Sequence, residues 1–122
     1  KWSTWKSRQL ALFLKELIQA VKHTNPRLRM GLNINYEALL APENALAWFS
    51  RDIPTIEKNA HPDYYVVMSY QRQMQRELGK SPKAILRDIG KMVRTAVAII
   101  PHPGRWIFKV QAIDWKTRHP IS

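Results

Sequence analysis

The sequence predicts an α/β fold, part of a (β/α)8 TIM-like barrel with about three parallel strands alternating with helices. Three observations predict it. Apolar stripes of helical period and short strand-like runs take turns along the chain. Strand centres near Ile34, Val67 and Lys109 are separated by intervals that each hold one helix, the spacing of βαβ crossovers. Polar and aromatic residues gather just after each strand, where parallel α/β folds carry their chemistry.

The first element is a helix from about Thr4 to His23, with Leu10, Phe13, Leu14, Leu17, Ile18 and Val21 on one stripe and Asn25-Pro26 as its stop. Leu32, Ile34 and Tyr36 then alternate with Asn33 and Asn35, which predicts a strand from about Arg29 to Tyr36. A helical region follows from Pro42-Glu43 through Trp48 and Phe49. It restarts near Asp52-Ile53-Pro54, where the aspartate caps and the proline sits in a first turn.

His61-Pro62-Asp63 ends that region, and Tyr64-Tyr65-Val66-Val67-Met68 reads as a strand buried on both faces. Ser81-Pro82 starts a helix whose buried stripe is Ile85, Ile89, Met92, Val93, Ala96 and Val97. Pro101-His102-Pro103-Gly104 stops it, and a last strand runs from Trp106 to Ile113. Three parallel strands with open edges make a poor independent unit. Residues 1–122 are therefore expected to be a fragment of a larger barrel whose further strands cover both edges.

Composition narrows the class. A chain of 122 residues with 45% hydrophobic and 10% aromatic content is globular rather than disordered, and no apolar run approaches the ~18 residues that span a bilayer. Without cysteine, a disulfide framework, a thiolate metal site and a cysteine nucleophile are excluded. The four histidines sit beside helix ends or prolines, read as loop residues and show no metal-ligand spacing; no glycine loop of the phosphate-cradling kind is present, so no metal or cofactor is expected.

The net charge of +11 invites a nucleic-acid reading. Its distribution argues for solvated helix faces instead: residues 1–30 carry +6 and residues 71–122 carry +8, while residues 31–70, which hold two of the three strands, carry −3.

At the strand ends stand Asn33, Asn35, Tyr36 and Glu37, then Ser69, Tyr70 and Gln71, then Gln111, Asp114 and Trp115. Asn, Ser and Gln also cap helices and satisfy loop backbone, and aromatics also fill barrel layers. Three such ends in succession favour a binding face. Flat aromatic rings beside amides and carboxylates suit a saccharide, which offers apolar C–H faces and many hydroxyls. Trp115, Trp48, Tyr36 and Tyr70 are the platform candidates, although Ala47-Trp48-Phe49 taken alone reads more readily as core. Glycoside cleavage commonly uses two carboxyl groups, and Glu37 and Asp114 are the two at the carboxyl ends; Asp63 precedes its strand.

Arg29-Met30-Gly31-Leu32-Asn33-Ile34-Asn35-Tyr36-Glu37 and Pro42-Glu43-Asn44-Ala45-Leu46-Ala47-Trp48-Phe49 resemble a barrel strand and its loop in the carboxyl-terminal domain of bacterial poly-β-1,6-N-acetylglucosamine N-deacetylases. Asp63-Tyr64-Tyr65-Val66-Val67-Met68 and Val110-Gln111-Ala112-Ile113-Asp114-Trp115 continue the match in order. The resemblance implies a glycoside-hydrolase-like barrel that binds partially de-N-acetylated polymer during biofilm exopolysaccharide export, in the periplasm or at the outer membrane. Trp48 and Trp115 would line the polymer groove, with Asn33, Tyr36, Glu37, Tyr70, Gln111 and Asp114 as further contacts.

Two departures qualify it. Met68-Ser69-Tyr70-Gln71 stands where the family has Met-Pro-Tyr, and the metal-dependent deacetylase domain and the glycosidase aspartate are expected upstream of Lys1. The implied partners are thus the glucosamine polymer, the rest of the barrel and an upstream deacetylase domain. Two rival readings are a generic barrel glycosidase with Glu37 or Asp114 as acid or base, and a basic nucleic-acid-binding module.

Overall fold

The computed structural model describes residues 1–121. Helix α1 (Trp2–Thr24) leads into strand β1 (Gly31–Asn35), which is followed by α2 (Glu37–Leu40), α3 (Pro42–Phe49) and α4 (Ile53–Asn59). Strand β2 (Tyr64–Met68), α5 (Gln71–Leu78), α6 (Pro82–Ile99), a 3-10 turn at Pro103–Arg105 and strand β3 (Trp106–Lys109) complete the order.

The three strands are parallel and adjacent in sequence order, β1-β2-β3, with Ile34 opposite Val67 and Val67 opposite Phe108. Two crossovers that advance in one direction with the usual right hand put their helices on one face. Burial agrees. Ile34, Tyr65, Val67 and Trp106 on one side of the sheet join Ala11 of α1, Ile56 of α4, Met74 of α5 and Ile85, Met92 and Ala96 of α6 in a single core. The opposite side carries Asn33, Asn35, Val66, Met68, Ile107 and Lys109 and is exposed or only half-buried. A sheet wound one way, with every helix outside, is an arc of a (β/α) barrel.

Local chemistry sets the boundaries. Asp52 caps α4 by accepting from the Thr55 N–H at 3.1 Å and from the Thr55 hydroxyl, and Pro54 occupies the first turn. Gly79, at φ 62, ends α5 in the left-handed conformation that a side chain resists, and Ser81 then caps α6 through the Ala84 N–H.

At the amino ends of the strands, the Asp63 carboxylate accepts from the Met30 N–H (2.8 Å) and the Lys22 ammonium (2.9 Å), tying α1, β1 and β2 together. Beside it, Arg105 forks onto Glu57 at 2.5 and 2.8 Å and reaches the Pro62 carbonyl, while the buried Tyr65 hydroxyl donates to Glu57 at 2.9 Å. Ion pairs thus tie the helices and strands together at this end.

Several sequence expectations are corrected. β1 is shorter than Arg29–Tyr36, because Arg29 and Met30 are drawn to Asp63 and Tyr36 already turns into α2. β2 is buried on one face and half-buried on the other, as the open side of an arc requires. β3 stops at Lys109 instead of Ile113, since β2 turns away at Ser69 and leaves no backbone to pair with.

The apolar stripe of α1 is wider than its contact, so Phe13 and Leu17 stay exposed while the small Ser7 and Ala11 are buried. On α6, Val93 likewise faces outward. Helix α5 was not foreseen, and His23 lies within the last turn of α1 rather than in a loop. Among the described residues no helix is long and apolar enough to cross a membrane.

Candidate functional site

The carboxyl end of β1 feeds directly into α2, so Tyr36 and Glu37 stand where strand becomes helix. Tyr36 is buried, and its hydroxyl donates to Glu77 Oε2 at 2.7 Å; the other Glu77 oxygen accepts from Gln73 Nε2 at 2.6 Å. Burial first, then the bond to Glu77 and the charge of Glu37, push the Tyr36 phenol well above its ordinary range. The hydroxyl therefore stays protonated and donates its hydrogen bond to Glu77. Glu37 Oε2 is screened from solvent and has no hydrogen-bond partner in the protein.

Trp48, on α3, is 65% exposed and braced by the edge of Phe49 at 6.3 Å. A side chain with that much apolar surface in water is available as a stacking platform. Two clefts meet at these residues. The smaller, about 230 Å³, runs from Asn35 and Met68 to Phe49, Tyr70 and Gln73. The larger, about 450 Å³, extends to Asn44, Lys80, Asp88 and Lys91. Tyr36, Glu37, Trp48 and Glu77 line both and form the wall they share.

Tyr70 carries the site toward the third strand. It lines the smaller cleft, and its ring meets Trp115 at 4.9 Å in an edge-to-face contact. Trp115 is itself 54% exposed. Tyr36, Glu37, Trp48, Tyr70 and Trp115 are therefore linked through contacts or a common cleft.

The remaining candidates lie elsewhere. Asn33 is in mid-strand on the open face of the sheet, accepting from Lys109 Nζ at 3.0 Å. Gln111 is only 4% exposed; its backbone is bonded to the Gln71 side chain, and its own Nε2 donates to the Ile113 carbonyl at 2.8 Å. Asp114 shapes a turn. Its Oδ1 accepts from the N–H groups of Lys116 (2.8 Å) and Thr117 (3.3 Å), which hold its carboxyl below the usual carboxylate range. An aspartate so held is a poor proton donor near neutrality.

Sequence reasoning missed Glu77 and Gln73 because it missed α5. The available signal was Gly79 followed by Ser81-Pro82, a helix stop and a helix start that imply a helix before the stop. Among the described residues no group of three or more His, Asp or Glu side chains is arranged to hold a metal ion. What the arrangement can do is stack an apolar ring face on Trp48 and accept hydrogen bonds at Tyr36 and Glu37.

A family model described as hypothetical glycosyl hydrolase family 13 matches residues 1–122. No curated protein and no solved structure matches the chain.

Proposed function

The chain belongs to hypothetical glycosyl hydrolase family 13, a glycoside-hydrolase-like and hence carbohydrate-processing class, and on that premise we propose that the paired clefts at the ends of β1 and β2 bind a polysaccharide. The observation that carries the reading is the exposed Trp48 ring lining the same clefts as Tyr36 and Glu37. A pyranose stacks its C–H face on such a ring while its hydroxyls meet the oxygens alongside.

The polymer proposed is partially de-N-acetylated poly-β-1,6-N-acetylglucosamine, met during exopolysaccharide export in the periplasm or at the outer membrane. The four sequence segments that resemble the N-deacetylase barrel support this. The carboxylates Glu37, Glu77 and Asp88 around the clefts suit a polymer with free ammonium groups.

The proposed partners in cis are the further strands of the barrel and an upstream deacetylase domain. Exposed Phe13 and Leu17 on α1, exposed Leu86 and Val93 on α6, and the unpaired edges of β1 and β3 are the surfaces such strands and helices would cover.

Calorimetric titration of the chain with glucosamine oligomers of defined acetylation tests the reading. Saturable binding that weakens moderately with salt, far less steeply than a phosphate-binding surface would, is expected. Binding only to oligonucleotides, with steep salt dependence, would replace this function with the nucleic-acid one. A second reading, cleavage, is favoured by Glu37 and Glu77 bringing two carboxyl groups to one cleft. Reducing-end release from the same oligomers, abolished in Glu37→Gln, is its test.

A further inference from the structure

The wall shared by the two clefts sets the Trp48 ring beside three oxygen-bearing side chains, Tyr36, Glu37 and Glu77. The Tyr36 hydroxyl donates its hydrogen bond to Glu77, so what it offers a ligand is a lone pair. Beside it stands the Glu37 carboxylate, whose Oε2 is screened from solvent and has no partner in the protein. Glu77 accepts at both oxygens, from Tyr36 and from Gln73, and so serves the wall through Tyr36. Around the larger cleft Glu37, Glu77 and Asp88 face Lys80 and Lys91, an excess of one carboxyl group, and Lys80 is already paired with Asp88 at 2.6 Å.

Resting on the saccharide reading above, we propose that Glu77 is a positioning residue. By accepting the Tyr36 hydroxyl it turns Tyr36 into an acceptor beside the Glu37 carboxylate, which selects saccharide units that offer hydroxyl or ammonium donors there and turns away uronate-bearing or sulfated ones. The physical basis is the cost of unmade bonds. A ligand carboxylate or sulfate placed against Tyr36 and Glu37 would set acceptor against acceptor in a partly desolvated site, whereas a hydroxyl or ammonium fills the same place with a bond. The short O–H···O contact to Glu77 is of the charge-assisted kind and fixes the sense of the Tyr36 hydroxyl more firmly than a neutral partner would.

The test compares two probes of equal length, a β-1,6-linked glucosamine oligomer and an oligogalacturonate, on the wild-type chain and on Glu77→Gln. Wild type should prefer the glucosamine oligomer. Glu77→Gln, whose amide can donate to Tyr36 and reverse the bond, should narrow that preference about tenfold, as loss of one charge-assisted bond implies.

A folded Glu77→Gln with unchanged preference overturns the proposal and leaves the saccharide reading intact. Wild-type chain that binds neither probe overturns both. If Glu77→Gln does not fold, Tyr36→Phe carries the test, since it keeps the packed ring and removes only the hydroxyl. It should weaken glucosamine binding by a similar factor, and unchanged affinity overturns the proposal.

Discussion

The Gln71 side chain bonds the backbone of Gln111 at both of its polar groups: Gln71 Nε2 donates to the Gln111 carbonyl at 2.6 Å, and Gln71 Oε1 accepts from the Gln111 N–H at 2.9 Å. An amide side chain thus stands in for the strand that β3 lacks beyond Lys109. The Ser69 hydroxyl begins the substitution two residues earlier by donating to the Lys109 carbonyl at 2.7 Å. The loop that ends in Trp115 hangs from these three bonds.

Gln71→Ala should therefore cost about 2 kcal/mol, because it leaves two backbone groups of a nearly buried residue without partners. Gln71→Glu should cost at least as much, since one carboxylate oxygen would face the Gln111 carbonyl. Urea melts and amide exchange at Gln111 measure both effects. An exchange rate at Gln111 unchanged in Gln71→Ala would show that the pair does not hold the loop.

Asp63 makes the fold sensitive to acid. Burial works to raise its carboxyl pKa, but the Met30 N–H and the Lys22 ammonium outweigh burial and hold it below the usual range. A folded-state pKa below the unfolded value, which is near 3.9, gives stability that is present above that value and lost as pH falls through the folded one. Asp63→Asn should consequently cost roughly 1–2 kcal/mol between pH 5 and 7, with the gap to wild type closing below about pH 4. Urea midpoints across that range decide it; a gap independent of pH would contradict the assignment.

How far the sequence spoke depended on whether an element answers to its own residues. β2 is legible because Tyr64–Met68 lies between the stop His61-Pro62-Asp63 and the polar Ser69. α4 is legible because Asp52 and Pro54 declare its start. α5 is not, since it buries Met74 against the core while glutamines and arginines crowd the rest of it, so docking rather than pattern makes it a helix. The strand expected to reach Ile113 has apolar residues enough, but its length depends on a neighbour that leaves at Ser69. Of the site, Tyr36, Glu37 and Tyr70 were visible as candidates from their places after strands, whereas Trp48, inside α3, was a candidate chiefly through the family resemblance. Glu77 was not, because it meets Tyr36 across 41 residues.

Asp114 separates a ligand contact from a turn former. Its Oδ1 is bonded to the N–H groups of Lys116 and Thr117, and its own carbonyl accepts from the N–H of Arg118, which adopts a positive φ of 60°. Asparagine makes the same side-chain turn without the charge. Asp114→Asn should then leave melting temperature and saccharide affinity close to wild type, whereas Asp114→Ala should loosen residues 114–118 and raise their amide exchange. A large loss of affinity in a well-folded Asp114→Asn would instead make the carboxylate itself a ligand contact.

Trp48 and Trp115 are both more than half exposed, but they are held differently, and the difference predicts different losses. Trp48 meets the ring of its neighbour Phe49 edge-on and is mostly exposed, so Trp48→Ala should change stability by no more than about 0.5 kcal/mol. Its ring is the stacking surface of the shared wall, and without it affinity for a glucosamine oligomer should fall about tenfold, the equivalent of one aromatic contact. Trp115 packs against Tyr70 from a loop suspended on Gln71, so Trp115→Ala should lower stability by about 1 kcal/mol as well as weaken binding. Calorimetric titration beside thermal melts separates the two quantities. If Trp48→Ala binds as tightly as wild type while its fold is intact, the groove does not run over α3 and the polymer must be sought elsewhere on the arc.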